Sequence, residues 1–171
     1  SQTRRPAEMI LIDDASGDST LELLRSIQRR LGDWVRVVVL SSNAGAATAR
    51  NAGWNAASQP YIAFLDADDA WHPQKIEIQW GYMESHPEVA MSGHLCRQLP
   101  QSTTELPSWP VELLGAKIIS WTVLLLRHQF VTPSVMLKRE IAQRFSEGAR
   151  YMEDHRLWLE IVGSKLCVVK L

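Results

Sequence analysis

The chain has 171 residues, the size of one ordinary domain. Its 18 lysines and arginines nearly balance its 19 aspartates and glutamates, giving a formal net charge of −1 and a sequence pI of about 6.5. This balance excludes the strong electrostatic attraction on which general nucleic-acid and anionic-membrane binding depend. A composition of 46% hydrophobic and 22% charged residues excludes disordered and fibrous classes. We therefore predict a single domain over residues 1–171 with no nucleic-acid partner.

Three features predict the cellular compartment. Cys96 and Cys167 are too few for a disulfide framework and suit a reducing compartment. The longest apolar run, Ile118 to Leu126, is far shorter than the roughly 20 residues needed to span a bilayer. No basic-then-apolar secretory leader opens the chain. We expect a cytoplasmic protein without a transmembrane segment, with the inner face of the membrane as an alternative location.

The first two-thirds of the chain alternate between strand-like and helix-like segments. The strands are continuous apolar runs at Met9 to Ile12, Val35 to Leu40 and Tyr61 to Leu65. The predicted helices are a segment capped by Asp18-Ser19-Thr20 with an apolar stripe of Leu21, Leu24, Ile27 and Leu31, then Ala46 to Ala57, then Gln74 to Glu84 after Pro73. This order predicts an α/β domain with a mostly parallel sheet covered by helices.

The last third of the chain is less regular. Leu99 to Pro110 contains three prolines and predicts an irregular surface loop. Ile118 to Arg127 is ambiguous between helix and strand, and Val131 to Leu137 predicts a strand. A short helix is expected over Lys138 to Phe145, followed by an amphipathic helix over Met152 to Val162.

Two acidic clusters follow predicted strands. Asp13-Asp14 ends the first strand, and Asp66-Ala67-Asp68-Asp69 follows the third. Ligands of parallel α/β sheets bind outside the carboxyl ends of the strands. Clustered carboxylates repel one another unless a cation or a hydrogen-bonding ligand offsets the repulsion. A solvated turn capping the next helix is the alternative for the second cluster, but two clusters at the same edge favour a ligand site.

Two further segments are candidates for the same site. Asn43 to Gly53 is rich in small residues that allow a ligand or a backbone to come close, and Arg50 is its one long cation. Arg50 must reach water or pair with an acid of a neighbouring strand end. Glu153-Asp154 opens a predicted helix, where carboxylates are favoured by the helix dipole. A simple helix cap and a general base remain equal readings of that pair.

Taken together, the motifs resemble those of the family 2 glycosyltransferases. The matching sequences, in family order and spacing, are ILIDDASGDST from Ile10, NxGxxxARNxG from Asn43, FLDADD from Phe64 and EDxxLW from Glu153. The resemblance covers the chain from about Glu8 to its end. It implies a GT-A fold that binds an activated sugar, commonly a UDP-sugar, together with Mg²⁺ or Mn²⁺. The implied acceptor is a saccharide or a lipid-linked hydroxyl.

The resemblance also implies roles for individual residues. The nucleotide-sugar would be bound by Asp13, Asp14, Gly45, Arg50 and Asp66, with Arg50 supporting the region of the nucleotide base. The metal would be held by the DxD motif, with Asp68 as its most direct ligand and Asp66 and Asp69 beside it. Asp154 would be the catalytic base, with Glu153 as its neighbour, in a metal-dependent transfer that inverts the sugar.

The chain departs from the family pattern at both ends. Family members usually begin with one more strand and helix, a unit of roughly 30 residues, and many continue further after the EDxxLW helix. We expect a fragment whose exposed strand edge favours self-association. The Gln-x-x-Arg-Trp motif of processive members does not follow Asp154, which favours transfer of a single sugar.

Other classes of protein stay open at this point. A signalling receiver domain would use Asp66 as its phosphate acceptor, with Ser92 and Lys117 as its hydroxyl and lysine. It would not explain the Asn43 to Gly53 block or Glu153-Asp154. A haloacid-dehalogenase-type phosphatase would need a threonine where the chain has Ala70-Trp71. A binding-only domain that holds a nucleotide without chemistry is the remaining alternative.

Overall fold

A computed structural model describes residues 2–98, 115–149 and 151–171 of the chain. Within these ranges the strands are β1 (Met9–Asp13), β2 (Val35–Val39), β3 (Tyr61–Ala63), β4 (Val89–Gly93), β5 (Lys117–Ile118), β6 (Met136–Lys138) and β7 (Cys167–Lys170). The helices are α1 (Thr20–Leu31), α2 (Ala46–Ala56), α3 (Lys75–Ser85), α4 (Trp121–Leu126) and α5 (Glu153–Gly163). The predicted loop over residues 99–110 lies outside the described residues.

The strands form two hydrogen-bonded sheets in the described part of the chain. β1 and β2 pair in parallel, with Met9 opposite Val35 and Asp13 opposite Val39. The other five strands lie in the order β3-β6-β4-β7-β5. There β4 and β7 are parallel, whereas β6 runs antiparallel to both β3 and β4, and β5 runs antiparallel to β7. The predicted α/β class is confirmed, but the strands are mixed in direction rather than mostly parallel.

Local signals explain why the first half follows its prediction closely. α1 begins where the backbone N–H of Thr20 donates to the Asp18 carboxylate at 2.9 Å, and it ends at Gly32, whose φ is 68°. α2 begins after Gly45, whose φ of 86° is readily adopted only by glycine. These caps set both ends of the crossover segments, so each predicted strand and helix lies within about two residues of the observed one.

The predicted helix over Lys138 to Phe145 is wrong. β6 ends at Lys138, and the segment that follows makes one turn, in which the N–H of Ile141 donates to the carbonyl of Lys138 at 3.3 Å, and is otherwise held by side chains of α2. The Asn51 side chain bonds both the N–H and the carbonyl of Phe145, and Trp54 Nε1 donates to the carbonyl of Arg139 at 2.9 Å. Ile141 and Phe145 are both buried, so the four-residue spacing that resembled a helix reflects two separate core contacts.

Three other segments differ from or refine the sequence interpretation. Val131 to Leu137 is divided by Pro133, because residues 132–134 form a 3-10 turn before β6 begins. The ambiguous run from Ile118 to Arg127 is the end of β5 followed by α4, which Ser120 caps by accepting the N–H of Val123 at 3.3 Å. β4 and β7, which the sequence reading left unassigned, are both central strands of the five-stranded sheet.

An aromatic cluster lies beneath the strand ends that carry the candidate site. Trp54 of α2 contacts Phe64 with ring centroids 5.7 Å apart, and Phe64 contacts Phe145 edge-on at 5.2 Å. Phe145 in turn meets Trp158 of α5 at 5.9 Å. This cluster ties α2, the end of β3 and α5 to one core and thereby fixes the relative positions of their ends.

None of the helices within residues 2–98, 115–149 and 151–171 combines the length and apolarity that crossing a membrane requires.

Candidate functional site

The acidic turn after β3 faces the first turn of α5 across a cleft of about 390 Å³. The residues that line it are Arg50, Asp66, Asp69, Cys96, Arg97, Gln98, Val131, Thr132, Pro133, Glu153 and Asp154. Two predicted motifs that lie almost 90 residues apart in the sequence therefore meet at one site. A neighbouring cleft of about 650 Å³ is lined by the loop and first residues of α2, and Glu153 borders both clefts.

Arg50 joins two of the predicted motifs. Its guanidinium donates to both carboxylate oxygens of Asp66 at 3.0 Å, and its Nη1 donates to Glu153 Oε1 at 3.0 Å. The Arg50 side chain is only 15% exposed, so these pairs are partly desolvated. The expected pairing of Arg50 with an acid of a neighbouring strand end is confirmed by Asp66, whereas its role near the nucleotide base stays a prediction. We call Arg50, Asp66 and Asp69 the charged wall of the cleft.

The acidic turn concentrates negative charge at the end of β3. Partial desolvation and the neighbouring carboxylates of Asp68 and Asp66 raise the pKa of Asp69 above its usual range, although the residue is exposed. Asp68 is exposed, and the backbone N–H of Asp69 donates to the carbonyl of Asp66 at 3.1 Å. A cation near Asp69 would offset the repulsion that raises its pKa.

The residues fit a divalent cation in donor type but do not enclose one by themselves. Within the described ranges, no three His, Cys, Asp or Glu side chains converge as a metal-binding group. Arg50 occupies both oxygens of Asp66, which leaves the carboxylates of Asp68 and Asp69 on this turn. Mg²⁺ is usually bound through one or two carboxylates together with substrate phosphates. Asp68 and Asp69 match that pattern, whereas Asp66 is already paired.

The first acidic pair has two different environments. Asp14 accepts the backbone N–H groups of Ala44 and Gly45, each at 2.8 Å, and so holds the loop that starts α2. Asp13 is 2% exposed, and its Oδ2 accepts the N–H of Ser16 at 3.3 Å. Asp13 Oδ1 is buried without a hydrogen-bond partner. A buried, unpartnered carboxylate oxygen is costly and can be satisfied by an N–H donor from a ligand.

Asp154 stands opposite the acidic turn, in the first turn of α5. Met152, which precedes this helix, has a left-handed backbone with φ of 56°. Asp154 Oδ1 accepts the N–H of His155 at 2.6 Å, and Oδ2 accepts the hydroxyl of Thr132 at 3.4 Å. His128 Nε2 lies 3.9 Å from Oδ1, so its charge when protonated would act on the carboxylate. We call Val131, Thr132 and Pro133 the neutral wall of the cleft.

His155 adds a titratable group behind Asp154. Its ring stacks on His128 with centroids 4.9 Å apart, and its Nδ1 is buried without a partner. Burial and the neighbouring His128 lower the pKa of His155, while Asp154 acts in the opposite direction. Burial thus favours the neutral form of the His155 ring.

Sequence reasoning missed Thr132 and His128. Neither lies in a motif, and both reach Asp154 from a segment more than 20 residues away. The weak signal was Thr132-Pro133, a turn-forming pair inside a predicted strand. Gly45, by contrast, lies where it was expected, at the N-cap of α2 and on the wall of the second cleft.

Comparison with known proteins identifies the family. The pattern that describes glycosyl transferase family 2 matches residues 1–145. The chain belongs to this family. It is 30% identical over 165 residues to the Escherichia coli UDP-Glc:alpha-D-GlcNAc-diphosphoundecaprenol beta-1,3-glucosyltransferase WfaP. The aligned region covers 95% of the chain and 61% of WfaP. It is 29% identical over 167 residues to the amylovoran biosynthesis glycosyltransferase AmsE of Erwinia amylovora, covering 95% of the chain and 60% of AmsE.

Solved structures confirm the GT-A fold expected from the motifs. Staphylococcus aureus TarS 1-349 in complex with UDP superposes with a TM-score of 0.75 over 99% of the chain and 50% of TarS, at 16% identity. The same protein in complex with UDP-GlcNAc gives a TM-score of 0.73 over 99% of the chain and 49% of TarS. The chain thus spans about half to three-fifths of the length of these relatives.

Proposed function

We propose that this domain transfers a sugar from a nucleotide-diphospho-sugar, in first place a UDP-sugar, to an acceptor hydroxyl. The observation that carries the proposal is that Asp69 and Asp154 line the same cleft. The acidic turn that contains Asp69 offers carboxylates suited to a cation that accompanies a diphosphate. Asp154 offers a carboxylate that can accept a proton. WfaP by name uses UDP-Glc, and TarS binds UDP and UDP-GlcNAc, which supports the donor class.

Asp13 is the proposed contact for the nucleotide base. Its buried Oδ1 lacks a partner, and the imide N–H of uracil is a donor that could supply one. Asp14 contributes indirectly, because it holds the loop at Ala44 and Gly45 from which the second cleft is built. A base with an acceptor in place of that imide N–H, such as cytosine, would leave Oδ1 unpaired and would bind more weakly.

Asp68 and Asp69 are the proposed ligands of Mg²⁺ or Mn²⁺. When bound there, the cation would neutralise negative charge on the diphosphate as the sugar departs. Arg50 holds Asp66 and Glu153 on either side of the cleft, so the acidic turn keeps its position beside α5. Asp66 therefore acts in this proposal through Arg50 and not as a metal ligand.

Asp154 is the proposed base for the acceptor hydroxyl. A hydroxyl is a weak nucleophile near neutral pH, and removal of its proton during attack accelerates the reaction. Thr132 and the His155 N–H hold the two carboxylate oxygens in fixed directions. In this proposal the hydroxyl attacks from the face opposite the diphosphate, so the sugar would be inverted.

The receiver-domain alternative has a specific observation against it. A receiver has an all-parallel sheet, whereas β6 runs antiparallel between β3 and β4. Asp66, its would-be phosphate acceptor, is engaged by Arg50 on both oxygens. A domain that binds the nucleotide without chemistry remains the second candidate, since the chain spans only part of its relatives' length.

Thermal stabilisation by a panel of nucleotide-sugars tests the donor class. A ligand that binds only the folded state raises the melting temperature by mass action. We expect UDP-sugars to raise it with Mn²⁺ and to raise it less without, while UMP has little effect. If no nucleotide-sugar of any base shifts the melting temperature, the proposed function is wrong. If the chain binds a UDP-sugar but transfers the sugar neither to an acceptor nor to water, the binding-only candidate is favoured. The α-anomer of the donor is supplied in excess in this assay.

A further inference from the structure

Three side chains that follow the acidic turn contact one short segment of backbone. Trp71 Nε1 donates to the carbonyl of Pro133 at 2.9 Å, and Gln79 Nε2 donates to the carbonyl of Ser134 at 3.0 Å. Lys75 Nζ lies 3.3 Å from the carbonyl of Val135. Lys75 and Gln79 are four residues apart and so share one face of α3, while Trp71 lies in the segment that precedes the helix. They bind three consecutive carbonyls, which fixes the backbone of residues 133–135.

The bonded segment continues directly into the neutral wall. Thr132 precedes it and donates its hydroxyl to Asp154 Oδ2 at 3.4 Å. Residues 132–135 are all buried, so this backbone can move only if its contacts move with it. Any displacement of residues 133–135 is therefore passed to the hydroxyl of Thr132 and to the carboxylate of Asp154.

Gln79 is the central member of this network. It is 1% exposed, its Oε1 accepts Lys75 Nζ at 2.5 Å, and its Nε2 also lies 3.2 Å from the carbonyl and the hydroxyl of Ser92 on β4. Both ends of its amide are thus occupied. A buried polar side chain that is fully bonded is costly to replace and holds its partners in one arrangement.

α3 connects these contacts to the opposite side of the cleft. Trp71 follows Asp69 by two residues, and Lys75 begins the helix. The same short stretch of chain therefore carries the acidic turn and holds the segment that bonds Asp154. The separation between the two proposed reacting regions is set by this stretch.

The geometry points to Gln79, supported by Trp71 and Lys75, as a positioning residue that sets Asp154 for catalysis through residues 132–135. This inference rests on the proposed function, because it deepens the role of the same site. Gln79 lines neither cleft, so its effect is on the reaction rate and not on donor contacts.

Replacement of Gln79 by methionine tests the inference, because it keeps the length of the side chain and removes both hydrogen-bonding groups. We expect kcat for donor turnover to fall about 10-fold to 100-fold, since small misplacement of a reacting group has effects of that size. The donor KM should stay within about twofold of the wild-type value. In an Asp154→Asn background, Gln79→Met should cause no further fall in kcat.

The matched control is Gln28→Met. Gln28 also donates to a backbone carbonyl, that of Val35 at 3.2 Å. This bond connects α1 to β2 and does not involve residues 132–135. Melting temperatures of both variants separate a loss of stability from a loss of position. If Gln79→Met is too unstable to assay, Trp71→Phe removes the bond to Pro133 while keeping a ring, and a smaller fall in kcat is expected. Equal kcat for Gln79→Met and Gln28→Met, or a fall that adds in full to that of Asp154→Asn, overturns the inference.

A spectroscopic measurement separates this inference from the proposed function. In protein labelled with ¹³C-aspartate, the Asp154 carboxyl resonance is assigned by its loss in Asp154→Asn. We expect that resonance to move in Gln79→Met and to stay in place in Gln28→Met, whether or not the chain turns over a donor. An unmoved resonance in Gln79→Met overturns the inference, while a moved resonance in a chain that binds no nucleotide-sugar leaves the positioning intact and refutes the proposed function.

Discussion

The two walls of the cleft are held by different forces. The charged wall depends on ion pairs between Arg50, Asp66 and Glu153, with side chains 15 to 34% exposed. The neutral wall consists of Val131, Thr132 and Pro133, which continue into a buried backbone held by neutral side-chain donors and by a lysine. Ion pairs near solvent weaken with salt and can exchange partners with a charged ligand. Buried hydrogen bonds do neither. The charged wall therefore suits a ligand that binds and dissociates, and the neutral wall suits a group whose orientation must stay fixed.

Removal of the proposed base should have the largest effect on activity. Asp154→Asn should lower donor turnover by about 10²-fold to 10⁴-fold, the usual contribution of a general base, while donor affinity stays unchanged. Steady-state kinetics and calorimetry measure the two quantities. Glu160→Gln is the control, because Glu160 lies on the same helix and makes only an exposed pair with Arg156. An Asp154→Asn variant with wild-type turnover would disprove the base assignment.

Removing the cation of the charged wall should have the next largest effect. Arg50→Met removes the guanidinium that pairs with both Asp66 and Glu153, and we expect a loss of about 2 to 3 kcal/mol in the free energy of unfolding. The matched change is Arg156→Met, whose ion pair with Glu160 is exposed and should contribute less than about 0.5 kcal/mol. Denaturant unfolding at low and high salt measures both. Equal losses in the two variants would show that the charged wall has no special role.

The neutral wall should respond to packing instead. A Cβ on Gly93 would lie 2.2 Å from Cδ1 of Phe130, the buried residue that precedes Val131. Gly93→Ala should therefore cost about 1 to 3 kcal/mol of unfolding free energy through overpacking, with little dependence on salt. At Gly81, within α3, an added Cβ meets open space, so Gly81→Ala should be neutral or stabilising by up to about 1 kcal/mol. If the loss of unfolding free energy in Gly93→Ala depends strongly on salt, the two walls are not held by different forces.

Lys75 gives the smallest and most specific test. Burial lowers its pKa from 10.5 to about 7, so between those values the unfolded chain binds more protons than the folded protein. The free energy of unfolding then rises with pH through this window because of Lys75. Lys75→Met should remove that rise, amounting to about 1 to 2 kcal/mol between pH 7 and pH 9. Parallel pH profiles for wild type and variant would show that Lys75 keeps an ordinary pKa.

Sequence patterns were sufficient wherever the determining contacts are local. Asp18 and Gly32 bound α1, and Gly45 starts α2, so the strand and helix order of the first half could be read directly. Patterns failed where one segment bonds a distant one. The apolar spacing of Ile141 and Phe145 resembles a helix, yet Asn51 takes the hydrogen bonds that a helix would need.

The candidate site shows the same limit. The acidic turn and Glu153-Asp154 could be chosen from their types and from family spacing, and both line one cleft. The partners that hold Asp154 could not, because Thr132 and Gln79 act over separations of 22 and 55 residues. Arg50 was a candidate from sequence, but its bond to Glu153 spans 103 residues and was not predicted. Such contacts leave no periodic or spaced signature in the chain.

Calorimetry of donor binding, with and without Mn²⁺, tests whether the acidic turn binds the donor while Asp154 serves only the proton transfer. The donor is a UDP-sugar that stabilises the wild-type chain, and the variants are Asp68→Asn and Asp154→Asn. We expect Asp68→Asn to lose the part of the affinity that depends on Mn²⁺, whereas Asp154→Asn keeps it within about twofold. The opposite pattern, or an equal loss of affinity in both variants, would show that donor binding and proton transfer are not assigned to the acidic turn and to Asp154 respectively.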